Sequence, residues 1–279
     1  MKVAAVQMTS GPDVAANLEQ ARALLEEACR RGARLAALPE NFSFMGLKDS
    51  DKRAVAEADG SGPAQDFLAA TARQLGLWIV GGTLPLKAGA DGRVAAASLV
   101  YSSDGERVAR YDKIHLFDVD IPGRMEAYRE SAHVTPGAAA AVLDTPVGRL
   151  GLSVCYDVRF PELYRHLSAA GAQLLCVPSA FTTPTGRAHW ETLLRARAIE
   201  NLCYVVAPAQ SGFHPSGRET YGDSMIVDYW GRVLQRLPRG RGCAVVDLDL
   251  ERQASVRASF PALAHRVFNT GIEAEERPI

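Results

Sequence analysis

What this chain lacks sets the first bounds. No apolar run approaches the roughly 20 residues that a membrane span needs, so no transmembrane segment is expected. The opening residues, MKVAAVQMTSGPD, turn polar too soon for a secretory leader and read as a buried first strand. An excess of one charge is missing too: 31 Lys and Arg stand against 32 Asp and Glu, a net charge of -1. So balanced a chain offers no electrostatic footprint for nucleic acid or an acidic membrane surface. The small basic cluster Arg236, Arg239, Arg241 reads as a solvated turn. Cysteine is sparse: Cys29, Cys155, Cys176, Cys203 and Cys243 are widely spaced, with no C-x-x-C. That argues against a disulfide framework or a zinc site and for a reducing compartment, the cytoplasm. None of the six histidines stands at H-x-x-x-H spacing, so no metal is expected. Low-complexity tracts and Pro/Ser/Gly-rich linkers are absent as well, and residues 1–279 are expected to form a single domain.

What is present is an alternation. Short β-branched runs at Lys2–Met8, Arg34–Leu38, Leu77–Thr83, Ala141–Asp144, Leu150–Val154, Gln173–Val177, Cys203–Ala207 and Cys243–Leu248 read as strands. Between them lie helical stretches at Val14–Arg31, Ala64–Leu75, Pro161–Ala170 and Arg187–Asn201, with a last one at Glu251–Phe260. In the first helix Leu18, Ala21, Leu24, Leu25 and Ala28 fall on one face, behind a cap at Asp13. Two hairpins, SLVYSSDGERVARYD and SMIVDYWGRVLQRLP, resemble each other: each opens on a serine and turns on a glycine between apolar strands. The pattern predicts an α/β protein of two similar halves, with helices outside the sheets.

Three strand ends carry chemistry. In GLSVCYDVRFPEL an apolar run stops at Cys155, where a charged segment begins. A free cysteine is usually a small buried hydrophobe, and Cys176 and Cys203 fit that description. Cys155 fits it less well, because ligands of α/β sheets bind at the carboxyl ends of strands. Leu35–Leu38 runs through Pro39 into Glu40, and Tyr111-Asp112 leads to Lys113. Singly each charge reads as a solvated loop residue. Together they make a possible nucleophile, base and oxyanion-stabilising cation.

These motifs, LPE, YDKIHL and GLSVCYD in that order, resemble the nitrilase superfamily of carbon–nitrogen hydrolases over nearly the whole chain. PSAFTTPTGRAHWETLLRARAIEN and YGDSMIVDYWG resemble most its branch of deaminated glutathione amidases and ω-amidases. The resemblance implies an α-β-β-α sandwich, a homodimer or larger assembly, and catalysis without cofactor. It implies Glu40 as general base, Lys113 as oxyanion cation, Cys155 as nucleophile and the Tyr156 N–H as second oxyanion donor. Glu130 matches a position that orients the lysine and the substrate, and Glu126 competes for that assignment. The implied reaction forms a thioester on Cys155 from a primary amide, releases ammonia, and ends in hydrolysis.

For the substrate, Arg159 is a candidate anchor for a carboxylate, against a structural ion pair with Asp157 or Glu162. Phe181 and Thr185 are candidates to line the same mouth from a loop. An anionic amide suits these residues: deaminated glutathione first, with 2-oxoglutaramate or succinamate as rivals. A nitrilase or an N-carbamoyl amino acid amidohydrolase would share the triad, and a catalytically silent interaction protein stands in a different class. The loop Phe117–Arg129, with Gly123, is a candidate lid.

Overall fold

Hydrophobic alternation resolves into two stacked sheets in the computed structural model, which describes residues 1–89, 91–121 and 127–268. The first half supplies β1 (Lys2–Gln7), α1 (Val14–Arg30), β2 (Ala33–Ala37), α2 (Pro63–Leu75), β3 (Trp78–Val80), β4 (Leu84–Lys87), β5 (Val94–Tyr101) and β6 (Arg107–Asp112). A small hairpin follows, β7 (Asp118–Asp120) and β8 (Ala127–Arg129). The second half supplies β9 (Val142–Thr145), β10 (Gly148–Leu152), α3 (Pro161–Ala169), β11 (Leu174–Cys176), α4 (Thr183–Asn201) and β12 (Tyr204–Ala207). It closes with β13 (Ser211–Phe213), β14 (Glu219–Tyr221), β15 (Ser224–Val227), β16 (Val233–Leu237), β17 (Gly242–Asp247) and α5 (Leu250–Ser259).

One sheet runs β17-β1-β2-β3-β5-β4 with β6 on β5, and the other β16-β15-β12-β11-β10-β9. Each has three parallel strands at its centre, β1-β2-β3 and β10-β11-β12. In each, an antiparallel strand closes the outer side of the first of these and a hairpin strand pairs with the third. The two similar hairpins, β5–β6 and β15–β16, occupy corresponding places, so the internal repeat read from the sequence has a topological counterpart.

Period-two alternation sorts the side chains between layers. From β1, Val3 and Ala5 enter the core between the sheets, while Ala4 and Val6 face the core under α1 and α2. On the other sheet Leu163, Tyr164 and Leu167 of α3 and Trp190, Leu194 and Ala198 of α4 cover the outer face. The layers are α-β-β-α, as expected. In α1, Asp13 caps the first turn and Ala21, Leu24, Leu25 and Ala28 are buried. Asn17 joins that apolar face because its amide ties Gly11 to Ser43, linking the loops after β1 and β2.

Boundaries differ where loop geometry overrides pattern. The strand expected over Leu77–Thr83 pairs only at Trp78–Val80. Gly82 then adopts φ +44°, and a Cβ there would lie 1.9 Å from the Pro39 carbonyl oxygen, so the chain turns away hard against the segment before Glu40. The helix expected from Arg187 begins four residues earlier, at Thr183, because Pro184 fits a first helical turn rather than breaking it. Thr185 is therefore helical, not in a loop. Short strands β4, β7, β8, β13 and β14 were not foreseen.

Candidate functional site

Glu40 follows β2, Lys113 follows β6 and Cys155 follows β10, so both sheets deliver side chains to one end of the sandwich. Cys155 starts a 3₁₀ turn, Cys155–Arg159, with φ +48°. A left-handed backbone is unfavourable for a residue bearing a Cβ. It is pinned by the Cys155 N–H donating to Pro178 O at 2.9 Å. Asn41, next to Glu40, also has positive φ, +57°, and its N–H donates to Thr83 Oγ1 at 2.8 Å.

Lys113 Nζ donates to Glu40 Oε1 at 2.8 Å and to Glu130 Oε2 and Oε1 at 2.8 and 3.1 Å. Glu130 Oε2 also accepts the Phe117 N–H at 2.7 Å. The lysine is 1% exposed and Glu40 5%. Burial alone would lower the lysine's pKa, but the charges of Glu130 and Glu40 outweigh it and hold the ammonium well above the ordinary range. Burial pushes Glu130 up, yet Lys113 and then Lys52 bring its carboxyl below the ordinary value. Burial, followed by the negative charge of Glu40, raises the Cys155 thiol far above its ordinary 9.0, against opposing pulls from Lys113 and the Ala180 N–H. The resting site thus holds a neutral thiol, hydrogen-bonded to Glu40, beside two carboxylates that share one ammonium.

Asp157 knits this arrangement together. Fully buried, it accepts from the Val154 N–H (2.7 Å), the Tyr111 hydroxyl (2.7 Å) and the His115 N–H (3.0 Å), and bonds His115 Nδ1 at 2.7 Å. Tyr111 and His115 flank Lys113, and Val154 precedes Cys155. One carboxylate therefore fixes the lysine's segment against the cysteine's turn. Gln210 does the same for the acid, donating to Glu40 O at 3.0 Å and to Ser10 Oγ at 2.7 Å.

A cavity of ≈ 590 Å³, counting space open at its mouth, contains Glu40, Lys113, Glu130 and Cys155, with Tyr156, Phe181 and Thr185 in its wall. Seven of the eight residues singled out from the sequence thus meet in one pocket. Arg159 does not line it. Its guanidinium lies over the rings of Tyr156 and Phe181, 5.7 and 5.4 Å from their centroids, and Nη1 meets His189 Nδ1 at 3.2 Å. Nor is it paired with Asp157 or Glu162: among the described residues no carboxylate lies within ion-pair distance of it. Glu126, the rival of Glu130, and Gly123 of the candidate lid lie outside the described residues. The sequence reading missed Asn41, Lys52, Tyr128, His133 and Arg218, all of which line the cavity. His133 was passed over for want of a partner in sequence, and its Nδ1 is buried without a hydrogen bond. Among the described residues no group of three or more His, Cys, Asp or Glu side chains is placed to hold a metal ion, and no helix is long and apolar enough to cross a membrane.

A sandwich of this kind, with a buried thiol and an acid–ammonium–acid cluster at its strand ends, defines a nitrilase-type hydrolase. Residues 2–258 match the model of the carbon–nitrogen hydrolase family. A deaminated glutathione amidase of Synechocystis is 44% identical over 268 residues, 95% of this chain and 97% of that protein. The crystal structure of Saccharomyces cerevisiae Nit3, a member of branch 10 of the nitrilase superfamily, superposes with a TM-score of 0.86 at 32% identity, covering 96% of this chain and 97% of that one. A glutamate-to-glutamine mutant of an amidase from Nesterenkonia, carrying acrylamide added at its active-site cysteine, superposes at 0.78 with 31% identity, covering 94% and 98%. The chain belongs to the carbon–nitrogen hydrolase family, within the nitrilase superfamily, and it is an amide-hydrolysing enzyme.

Proposed function

We propose that the protein is a cysteine-dependent amidase of small anionic amides, deaminated glutathione foremost, with Cys155 as nucleophile, Glu40 as general base, and Lys113 and the Tyr156 N–H as oxyanion donors. The observation that carries this reading is Lys113 Nζ held at 2.8 Å from both Glu40 and Glu130 in the pocket that contains the Cys155 thiol. The substrate preference is supported by the relatives of that name, at 41–44% identity over about 95% of the chain.

Because the thiol keeps its proton at rest, attack on the amide carbon is coupled to proton transfer from Sγ to Glu40. Lys113 stays charged and turns one of its three N–H donors, now spread over Glu40 and Glu130, to the developing oxyanion. Glu130 holds the ammonium in place and is a positioning residue. Glu40, now protonated, gives its proton to the leaving nitrogen, the C–N bond breaks, and a thioester remains on Cys155. Water then attacks the thioester carbonyl while Glu40 takes its proton. The acid leaves and the thiol is restored. The leaving group depends on the substrate: both amide links of glutathione are secondary, so its deaminated form loses an amine, and ammonia leaves only from primary amides such as succinamate. We further propose a single-domain, cytoplasmic enzyme that assembles as a homodimer or larger. The compartment is supported by five free thiols.

The test is a substrate panel: deaminated glutathione, 2-oxoglutaramate, succinamate, an N-carbamoyl amino acid and an aromatic nitrile, followed by amine, ammonia and acid release. Deaminated glutathione should turn over fastest. Cys155→Ala should abolish turnover, and intact mass of the quenched wild type should show an acyl adduct on Cys155. Turnover that survives Cys155→Ala, or none from any amide by a folded protein, rules the reading out.

A further inference from the structure

Arg159 stacks on the rings of Tyr156 and Phe181 and is absent from the pocket's lining, so other cations are candidates to meet a substrate's negative charge. Two cations besides Lys113 line the catalytic pocket, Lys52 and Arg218. Neither has a carboxylate within ion-pair distance among the described residues. Arg218 lies on the turn between β13 and β14, held by the His214 N–H on its carbonyl at 2.9 Å. Its Nη2 donates to Ala180 O at 3.0 Å, and its guanidinium sits 5.2 Å from the centre of the Tyr128 ring. The plane is therefore fixed on one corner and one face. Its Nε–H is buried and closed over by protein, so the donors left for a ligand are those of Nη1, which has no protein acceptor among the described residues. Ala180 itself reaches the nucleophile, since its N–H points at the Cys155 sulfur. One residue thus separates the reacting atom from the guanidinium.

These cations also stand at a junction. A groove of ≈ 1310 Å³ leads outward and shares Asn41, Asp49, Lys52, Tyr128 and Arg218 with the catalytic pocket. Exposed Leu47 and Phe213 and the charged Lys48 and Glu219 line it further out. Asp49 opposes an anion at this rim, but it is exposed to solvent, where its charge is screened.

We propose that Arg218 and Lys52 form a carboxylate-recognition site where the catalytic pocket opens into the outer groove, and that this site selects anionic amides. The proposal rests on the reading of the protein as an amidase of anionic substrates. The shared chemistry is a carboxylate, which can belong to the acyl half or to the amine half of the substrate.

Two matched pairs tell these sources apart. Succinamate against butyramide varies charge on the acyl half; deaminated glutathione against its glycine carboxamide, which keeps the acyl half's 2-oxo acid carboxylate, varies charge on the amine half alone. In Arg218→Met, KM should rise about 10- to 100-fold with kcat within about threefold, either for succinamate and both deaminated glutathione compounds with butyramide unchanged, or for deaminated glutathione alone. The pair that loses discrimination identifies the half. Lys52→Met should show a smaller loss on the same pair, and Arg218→Lys should recover part of the affinity, which separates recognition from misfolding. A wild-type preference for succinamate over butyramide and for deaminated glutathione over its carboxamide that survives both Met variants overturns the proposal alone, as do equal losses on succinamate and butyramide. A wild type that prefers the less charged member of each pair overturns the anionic-amide reading, and the proposal with it.

Discussion

Cys155 is a thiol that its surroundings keep protonated, first by burial and then by Glu40. Glu130, with its pKa lowered, contributes stability that is present above its ordinary 4.5 and is lost only as pH falls through the depressed value. Lys113, with its pKa raised, contributes stability present below its ordinary 10.5 and lost only as pH rises through the elevated value. The Glu130–Lys113 ion pair therefore persists from below 4.5 to above 10.5, and no thiolate forms between neutrality and the ordinary thiol value of 9.0. The ultraviolet thiolate absorbance of wild type minus Cys155→Ala should stay flat up to the ordinary thiol value of 9.0. A step below that pH would mean that the attacking species is a preformed thiolate. The nucleophile, base and cation were legible because each ends or follows an apolar strand in a charged segment. Arg159 was not placed by its nearness in sequence to Cys155: after the 3₁₀ turn it lies over two aromatic rings and is absent from the pocket's lining.

At the scale of elements, the site depends on how two turns from different sheets are locked together. Asp157 binds groups before Cys155 and on both sides of Lys113 without lining the pocket. Asp157→Asn exchanges a four-fold acceptor for a group that must place an NH₂ among donors. It should destabilise the protein by about 2–4 kcal/mol, read from denaturant midpoints. It should lower kcat at least about tenfold with little change in KM; unchanged kcat at reduced stability would make the residue purely structural. The alternation of strands and helices was legible at this scale, since it follows from side-chain period alone. The loops that bring Lys52, His133 and Arg218 to the pocket were not. Their approach is set by contacts far apart in sequence, such as Arg218 on Ala180 and Tyr128, which no local pattern announces.

For the whole molecule, the last strand matters as much as the first. β17 pairs along the full length of β1, from Lys2↔Asp247 to Gln7↔Gly242, and the amino-terminal ammonium donates to Asp247 at 2.6 Å and to Leu248 O at 3.1 Å. Deleting residues 238–279 should leave β1 an open apolar edge. The truncated chain should elute as aggregate in size exclusion and lack a cooperative thermal transition; a folded, soluble product would show that β17 is dispensable. The same pairing sets a clock on biosynthesis. While a ribosome is still translating, β1 has emerged long before its mate β17, so the nascent protein carries a sticky ribbon until that far later strand follows. A holdase that shields that ribbon would serve this enzyme better than one that acts after termination.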